Sequence, residues 1–331
     1  MGKEEWNPGR ILRVSGSYWE TCTLHAAVKL DLFTKLGADS LDRDEIAARL
    51  KGDPRGVSML LNALVAMDLL SKSGNKYANT PAARSFLSTD SEQYLGFMVM
   101  HHHHLVESWS RLDQAVLSGK PVRERPSFGL EEFLESFLLG MRTLATQLAP
   151  RIAEAVDLSD RRHLLDLGGG PGTYAIHFCL KYPGLRATVF DLPTTRPFAE
   201  KTIREFGLSD RIDFRAGDYL KDALTGSYDV AWLSQVLHGE GPDSCRILIE
   251  KAVSVHEPGG RIVVHEFILD DGSEGPLFPA LFSLNMLLGT ERGQAYPEGE
   301  IREMLSASGV REVRRLPFRG SNDSGLIVGI A

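Results

Sequence analysis

The sequence predicts an α/β protein in two parts, a helical N-terminal domain and a doubly wound, mostly parallel sheet that ends in an antiparallel hairpin. Apolar residues recur at helical spacing before residue 157, and short apolar strands alternate with helical stretches after it. That alternation is typical of a parallel sheet with helices on both faces. We therefore expect one domain over residues 1–156 and a second over 157–331.

The composition narrows the class of partner. The 331 residues include 37 Lys and Arg against 44 Asp and Glu, a formal net charge of −7 that disfavours nucleic acid as a partner. No run reaches the roughly 18 apolar residues that a membrane span needs, and no signal peptide opens the chain, so we expect no membrane partner and a cytoplasmic location. The three cysteines lie far apart, which argues against a disulfide framework.

The N-terminal domain reads as helical with one hairpin. Asp42, with Glu45 three residues on, predicts a capping box before a helix over 43–50. Pro54 suits the first turn of a helix that runs to about Leu70, and Gly74-Asn75 marks a hairpin turn. Helix, helix and hairpin in this order form the outline of a winged helix. Further helical patterns cover residues 10–36, 92–117 and 130–156.

The C-terminal domain contains five short apolar strands, followed by a final hairpin. The predicted strands cover residues 163–167, 187–191, 212–216, 228–232 and 261–267. Residues 310–316 and 325–330 are joined by a loop alone, so we expect them to pair antiparallel at the sheet edge.

The sharpest motif follows the first of these strands and precedes a helix, where open parallel sheets bind their ligands. It reads Leu165-Asp-Leu-Gly-Gly-Gly-Pro-Gly-Thr173, a G-x-G-x-G pattern made by Gly168, Gly170 and Gly172. A dinucleotide fingerprint would need glycine where Thr173 stands, and the Gly-Lys-Ser/Thr of a phosphate loop is absent.

Three acids accompany the glycines. Asp191 comes nineteen residues after Gly172 at a strand end, where a carboxylate can accept hydrogen bonds from both ribose hydroxyls. Asp218 follows the next strand and is placed to meet an adenine amino group, and Asp166 precedes the glycines. The acids suit a cationic nucleoside such as S-adenosylmethionine. A nicotinamide cofactor is the alternative ligand, and a plain tight turn with acids that cap helices is the structural alternative.

These motifs, with Phe190-Asp-Leu-Pro193 and Gly217-Asp-Tyr-Leu220, resemble those of the class I S-adenosylmethionine-dependent methyltransferases. Within that class the whole chain resembles the small-molecule O-methyltransferases typified by caffeic acid and acetylserotonin enzymes. The resemblance implies S-adenosylmethionine as cofactor, a small-molecule acceptor, and a homodimer formed by the N-terminal domain. The cofactor-binding residues it implies are Asp166, Gly168, Gly169, Gly170, Gly172, Asp191, Leu192, Asp218, Tyr219 and Ser234.

The same resemblance implies a catalytic histidine. His238 follows the fourth strand and matches the family's base, and histidine ordinarily titrates near neutral pH. Glu266 and Glu291 match the acids that orient it. The family usually has Asp or Asn and then Trp after its histidine, whereas Gly239-Glu240 stand here, so methylation of carbon or nitrogen remains an alternative.

Other side chains have weaker expected roles. Met141, Phe282 and Met286 match places that line the family's acceptor pocket, although such residues also build cores. The run His101–His104 puts two histidines on one helix face, but no cysteine or acid pattern accompanies it, and we expect no metal site.

The winged-helix outline also raises DNA binding, or a non-catalytic regulator, as a rival function. Residues 1–100 contain 12 Lys and Arg and 12 Asp and Glu, so this part of the chain is neutral. The helix that would read DNA carries Arg55 as its only basic residue among apolar ones, and a recognition helix needs polar side chains. We therefore expect dimerisation through the helices of residues 10–36 and 92–117 instead.

Overall fold

The computed structural model describes residues 5–125 and 131–331, with the side chains of residues 131 and 132 left out. Two compact units make up the chain, Met1–Leu105 and Val106–Ala331. The division falls inside the helix Gly96–Trp109. The long helix Glu131–Ala155 lies in the second unit and packs against Thr173–Lys181. The expected boundary at 156/157 therefore marks where strands begin to alternate with helices, and the linking helices belong to the second compact unit.

The N-terminal unit is mostly helical. Its helices, with the one that crosses into the second unit, are α1 (Pro8–Gly16), α2 (Tyr18–Lys29), α3 (Leu32–Leu36), α4 (Arg43–Leu50), α5 (Pro54–Ala66), α6 (Pro81–Leu87) and α7 (Gly96–Trp109). Its strands are β1 (Leu41–Asp42), β2 (Leu70–Ser73) and β3 (Lys76–Asn79), and they form an antiparallel sheet in the order β1-β3-β2.

Local signals in this unit act as the sequence predicts. The Asp42 carboxylate accepts the backbone N–H of Glu45 at 3.0 Å, and Glu45 Oε2 accepts the Asp42 N–H at 2.8 Å, which completes the capping box. Pro54 opens α5, and Gly74, with φ +59°, turns the chain between β2 and β3. Helix, helix and hairpin therefore occur in the predicted order, while the winged-helix designation stays a prediction.

The expected continuous helical pattern over residues 10–36 is broken twice. Ser17 separates α1 from α2 while its backbone stays in the right-handed helical region, and Asp31 adopts a left-handed conformation with φ +55° between α2 and α3. The core of the unit lies beneath α3 and α5, where Phe33, Leu61 and Leu64 are buried. Helix α1 buries none of its residues.

The C-terminal unit is built around a seven-stranded sheet. Its further helices are α8 (Leu112–Ser118), α9 (Glu131–Ala155), α10 (Thr173–Lys181), α11 (Arg196–Glu205), α12 (Pro242–Ser254), α13 (Leu277–Gly289) and α14 (Glu298–Ala307). Its strands are β4 (His163–Leu167), β5 (Arg186–Asp191), β6 (Ile212–Ala216), β7 (Tyr228–Ser234), β8 (His256–Phe267), β9 (Arg311–Arg315) and β10 (Ser324–Ile330). The strand order is β6-β5-β4-β7-β8-β10-β9.

The predicted doubly wound sheet is confirmed. Strands β4 to β8 pair parallel, and β10 pairs antiparallel with β8 and with β9, so β10 lies inside the sheet and β9 at its edge. Because neighbouring parallel strands end at one edge, Leu167, Asp191, Ser234 and Phe267 all reach the same edge. That edge is where the sequence places its candidate site.

The helices were also compared with the length and hydropathy of membrane-spanning helices. No helix in residues 5–125 or 131–331 combines the length and apolar character that a bilayer crossing requires.

Candidate active site

The glycine turn joins β4 to α10. Gly168, Gly170 and Gly172 have φ values of +69°, +55° and +75°, a region that residues with side chains rarely adopt. A Cβ on Gly168 would lie 2.4 Å from Val236 Cγ1, so space as well as conformation requires glycine there. The turn therefore brings backbone N–H groups and the start of α10 to the sheet edge, and its three glycines have no side chains that would block a ligand.

Gly170 and Asp191 form the open side of this turn. Among residues 5–125 and 133–331, no heavy atom outside Gly169–Pro171 lies within 4 Å of the point where a Gly170 Cβ would be. The Gly170 N–H donates to Asp191 Oδ2 at 2.7 Å. Asp191 Oδ1 accepts the Leu192 N–H at 2.6 Å and the Thr195 hydroxyl at 3.1 Å. A carboxylate has about four acceptor positions, so Asp191 keeps room for a ribose hydroxyl. Burial raises the pKa of this carboxyl.

Asp166 lies beneath the turn. Its side chain is fully buried, and a Cβ on Gly169 would lie 2.6 Å from its Cγ. Oδ2 accepts the Ala175 N–H at 3.3 Å, and Oδ1 has no hydrogen-bond partner in the part of the chain that the structure describes. Burial, reinforced by the nearby charge of Asp191, raises the pKa of Asp166 to about 7. Asp166 supports the turn from below, and direct contact with a cofactor stays a prediction.

Asp218 and Tyr219 follow β6. The Asp218 carboxylate accepts the Leu220 N–H at 2.9 Å and pairs with Lys221 Nζ at 2.8 Å, so it caps its own turn. Although partial burial acts in the opposite direction, the Lys221 ammonium and these hydrogen bonds lower the pKa of Asp218. The Tyr219 ring lies 3.7 Å from the point where a Gly168 Cβ would be, which places Tyr219 beside the glycine turn. Their adenine and cofactor contacts stay predictions.

Ser234 ends β7, and the backbone then turns sharply. Its hydroxyl lies 2.9 Å from His265 Nδ1, and burial lowers the pKa of His265 to about 4, so that ring is neutral at pH 7. Gln235, next in the chain, has φ +59°, and its N–H donates to the His265 carbonyl at 2.9 Å. This left-handed conformation, which residues other than glycine seldom adopt, turns the chain between β7 and the segment that carries His238.

His238 and Glu266 form the most direct catalytic arrangement at this edge. His238 lies on the short 3₁₀ turn Leu237–Gly239, and its Nδ1 is 2.7 Å from Glu266 Oε2. Glu266 Oε1 accepts the Leu237 N–H at 2.9 Å, so one carboxylate holds both the ring and the backbone that carries it. Glu266 is buried, whereas 14% of the His238 side chain is exposed. With Nδ1–H directed to Glu266, Nε2 is left to accept a proton.

Phenylalanines surround the imidazole. The Phe282 ring meets it edge-on with centroids 4.8 Å apart, and Phe267 lies nearly parallel to it at 6.2 Å. Met286, one turn after Phe282 on α13, is buried, and Met141 is partly buried on α9. These apolar side chains suit a flat ring next to the base. The pocket-lining roles of Met141, Phe282 and Met286 stay predictions.

Comparison with known proteins places this arrangement in a family. Residues 127–311 match the O-methyltransferase domain, and residues 12–89 match the O-methyltransferase dimerisation domain. The chain belongs to the O-methyltransferase family. The predicted resemblance and its cofactor are thereby confirmed, and this O-methyltransferase depends on S-adenosylmethionine.

Three relatives show how far the likeness extends. A 3-hydroxy-5-methyl-1-naphthoate 3-O-methyltransferase from Streptomyces sahachiroi is 32% identical, over 98% of this chain and 95% of the relative. The N,N-dimethyltransferase OxyT from Streptomyces rimosus is 31% identical, over 92% of this chain and 87% of the relative. The human N-acetylserotonin methyltransferase in complex with S-adenosylmethionine superposes with a TM-score of 0.85 at 28% identity, over 100% of this chain and 99% of that chain.

Within this O-methyltransferase, the structure gives no contact between His238 and Glu291, the second acid predicted to orient it. Glu291 is exposed, and it makes no hydrogen bond or ion pair with any residue in 5–125 or 133–331. Thr290, next to it, folds back on α13 by donating its hydroxyl to the Met286 carbonyl at 2.7 Å. The orienting role of Glu291 stays a prediction.

The histidine run lies in the N-terminal unit of this O-methyltransferase. His103 Nε2 is 3.2 Å from Lys29 Nζ, and its ring centroid is 5.5 Å from that of His25. Burial, together with the charges of neighbouring histidines, lowers the pKa of His25 to about 4. In the described ranges no group of three or more His, Cys, Asp and Glu side chains is arranged to hold a metal ion.

The sequence reasoning missed the contacts of three residues: Phe267 lies against the imidazole, and Glu240 and Arg125 hold the segment that follows it. Phe267 directly follows Glu266, and the alternation of β8 could have assigned it to the site edge. Glu240, which the sequence shows only as a departure from the family's usual pattern, is buried two residues after His238. Arg125, which pairs with Glu240 at 2.7 Å, comes from a loop 115 residues earlier and gives no local signal.

Proposed function

We propose that this O-methyltransferase transfers a methyl group from S-adenosylmethionine to a hydroxyl of a small aromatic acceptor, with His238 as general base. The observation that carries the proposal is the 2.7 Å contact between His238 Nδ1 and Glu266 Oε2 at the sheet edge where the glycine turn lies. A base held in one orientation next to a cofactor site is what deprotonation of an acceptor requires.

The proton moves from the acceptor hydroxyl to His238 Nε2. Glu266, which accepts the Nδ1–H, stabilises the imidazolium that forms and keeps the ring in one tautomer. As the O–H bond breaks, the oxygen becomes a nucleophile for the methyl group that S-adenosylmethionine would supply when bound. The site residues supply position and proton transfer, which account for much of the rate advantage in such a reaction.

The residues of the turn fit the cofactor. When bound, S-adenosylmethionine supplies a methyl group carried on a sulfonium. The Asp191 carboxylate would hold its ribose, and Gly168–Gly172 would let it approach the backbone closely. The open space beside Gly170 supports this placement.

The aromatic surroundings of His238 support an aromatic acceptor. Phe267 and Phe282 present ring faces and edges to the imidazole, and flat apolar acceptors pack well against both. The relative from Streptomyces sahachiroi, which is named for methylating a hydroxyl of a naphthoate, adds support for this class.

Transfer to nitrogen is a second candidate. OxyT, 31% identical to this chain, is named as an N,N-dimethyltransferase. The replacement of the family's usual Asp-Trp by Gly239-Glu240 also leaves the accepting atom open. An amine acceptor would need a proton acceptor in the same place, so His238 would keep its role.

We also propose that two copies associate through the N-terminal unit, in the cytoplasm. Support comes from the dimerisation-domain match over residues 12–89 and from α1, which buries none of its residues in a single copy. Leu12 and Trp19 are 70% and 68% exposed, and a second copy would cover such apolar surface.

The direct test is a transfer assay. Purified protein is incubated with S-adenosylmethionine carrying a deuterated methyl group and with 3-hydroxy-5-methyl-1-naphthoate, N-acetylserotonin or an aromatic amine. Mass spectrometry of the product fixes the labelled atom. We expect label on a hydroxyl oxygen and its loss with His238→Gln. Label on nitrogen would replace the O-transfer proposal with the second candidate, and full activity of His238→Gln would remove the histidine as base.

A further inference from the structure

Glu240 is a buried acid two residues after the proposed base. Glu240 is 7% exposed. Its Oε1 accepts hydrogen bonds from Arg125 Nη1 at 2.7 Å and from the Tyr219 hydroxyl at 3.1 Å. Its backbone carbonyl accepts the Tyr296 hydroxyl. Burying a charged carboxylate is costly unless it is paired and hydrogen-bonded, and Glu240 has both kinds of partner.

Arg125 reaches this carboxylate from the loop that follows α8. The same guanidinium donates from Nη2 to the carbonyl of Gly239, the residue directly after His238. Arginine suits such a place because its planar fork can hold two acceptors at once. One side chain therefore fixes two consecutive residues of the segment on which the base lies.

The loop itself is attached to α13. The N–H groups of Val122 and Arg123 both donate to the Leu288 carbonyl, at 2.9 and 3.1 Å. Arg123 Nη2 also donates to Asn285, at 3.2 Å to its carbonyl and 3.1 Å to its side-chain oxygen. Because α13 carries Phe282, the loop connects the helix on one side of the imidazole to the turn that carries it.

Tyr219 connects Glu240 to the glycine turn, on the side of the proposed cofactor site. Its ring lies next to Gly168, and its hydroxyl donates to Glu240. Lys251 also holds this segment in place, because its Nζ donates to the Tyr219 carbonyl at 3.0 Å and to the Leu220 carbonyl at 2.7 Å. Glu240 thus joins the glycine-turn side of the site to the loop of Arg125.

We propose that Arg125 and Glu240 are positioning residues, which hold the His238 turn in register between Tyr219 and α13. The proposal rests on the proposed function, since it assumes that His238 is the base. The physical need arises from Gly239, because a glycine directly after the base leaves the backbone free to move unless its carbonyl is held. Displacement of a catalytic group by about 1 Å is enough to cost roughly 10²-fold in rate.

A purely structural role for this pair is the competing explanation, and a pair of variants separates the two. Arg125→Met leaves Glu240 buried without its cation, so it should lower the melting temperature. Adding Glu240→Gln removes that charge and keeps an oxygen for the Tyr219 hydroxyl, so the double variant should melt close to the wild type.

The kcat of the double variant then decides between a positioning role and a purely structural role. In the double variant the Gly239 carbonyl still lacks Arg125, so positioning predicts a kcat about 10²-fold below wild type despite the recovered melting temperature, with the Kd for S-adenosylhomocysteine within a few-fold. Recovery of kcat together with melting temperature would assign the pair to stability alone and overturn the proposal.

A second measurement needs no acceptor. In histidine-labelled protein saturated with S-adenosylhomocysteine, the imidazole resonances of His238 are assigned from their loss in His238→Gln. They should shift in Arg125→Met and in the double variant. Unchanged His238 resonances would overturn the positioning role even if no acceptor were methylated, whereas failure of the wild type to methylate any acceptor counts against the proposed function alone.

The matched control is another arginine–glutamate pair at the far edge of the sheet. Arg315 Nη1 lies 2.9 Å from Glu298 Oε2, between β9 and the start of α14. Arg315→Met removes a comparable ion pair, and it should leave both kcat and the His238 resonances as in the wild type. A shift in this control as large as that of Arg125→Met would show that the resonances report general loosening, and would also overturn the proposal.

Discussion

Glu266 accepts a hydrogen bond from the imidazole of His238 through one carboxylate oxygen and from the Leu237 backbone through the other, at 2.7 and 2.9 Å. The orientation of the ring is therefore coupled to the orientation of the turn that carries it. Since Glu266 is the penultimate residue of β8 and His238 follows β7, the pairing of two neighbouring strands sets the geometry of the proposed base.

The first prediction concerns this pair. His238→Gln should lower kcat by about 10²- to 10⁴-fold, the range usual for a general base, and should leave the affinity for S-adenosylhomocysteine unchanged. Glu266→Gln should cost about 10- to 100-fold, because a hydrogen bond to a charged group contributes roughly 1.5–3 kcal/mol. Steady-state kinetics and calorimetry measure both quantities. A kcat for His238→Gln equal to that of the wild type would reassign the base.

Glu291 provides a comparison within the same experiment. Among the described residues, Glu266 is the acid that contacts the His238 ring, whereas Glu291 is exposed. We therefore expect Glu291→Gln to lower kcat less than Glu266→Gln does. A larger loss for Glu291→Gln would show that the second predicted acid dominates the orientation of the ring during turnover.

A second prediction concerns Asp191. Asp191→Ala removes the carboxylate that would hold the ribose, so calorimetry should show the Kd for S-adenosylhomocysteine rising at least about 100-fold, or binding lost altogether. The carboxylate also holds the Thr195 hydroxyl at 3.1 Å. Thr195→Val is therefore the control, because it removes that bond and keeps the carboxylate. Affinity retained in Asp191→Ala would exclude the ribose role, and equal losses in both variants would assign the effect to the local structure.

Local sequence signals predicted much of this site. The glycine turn, Asp191 and the strand over residues 261–267 could be assigned because their spacing and flanking strands lie within a short stretch of chain. Asp218 shows the limit of that reasoning. A strand-end acid suits an adenine contact, but it equally suits capping, and its carboxylate caps the turn at Leu220 and Lys221.

Contacts between distant segments could not be predicted in this way. Arg125 and Glu240 are separated by 115 residues, and a single arginine in a loop has no periodic pattern that points to a partner. The left-handed conformation of Gln235 likewise depends on the His265 carbonyl of the next strand. Tertiary packing decides such features, so only the structure reveals them.

A third prediction concerns Asp166 and pH. Its pKa is about 7 in the folded chain and about 4 when unfolded, chiefly because it is fully buried beneath the glycine turn, with Asp191 nearby. The stabilising effect of the protonated form is complete below about pH 4 and is lost as pH rises through 7, because the unfolded chain releases the proton first. The change over that window is on the order of 4 kcal/mol.

Asp166→Asn cannot ionise, so it removes this dependence. The melting temperature of the cofactor-free variant relative to the wild type should rise between pH 4 and pH 7 and level off above it. If the amide itself costs stability by the same amount at every pH, the whole curve is displaced without a change of slope. Titrating groups that do not interact with Asp166 cancel in the difference between variant and wild type. A difference that stays flat from pH 4 to pH 8 would show that Asp166 ionises normally in the folded chain.

The last prediction tests the association of two copies through the N-terminal unit. Leu12 on α1 is 70% exposed in a single copy and lies within the region that matches a dimerisation domain. Leu12→Glu would bury a charge in the proposed interface, which is unfavourable without a partner charge, so sedimentation at micromolar concentration should shift from dimer to monomer. The matched control is Leu180→Glu, since Leu180 is also exposed on a helix but lies in the C-terminal unit. Wild-type protein that sediments only as a monomer, or a Leu12→Glu variant that stays as dimeric as the control, would contradict an interface at α1.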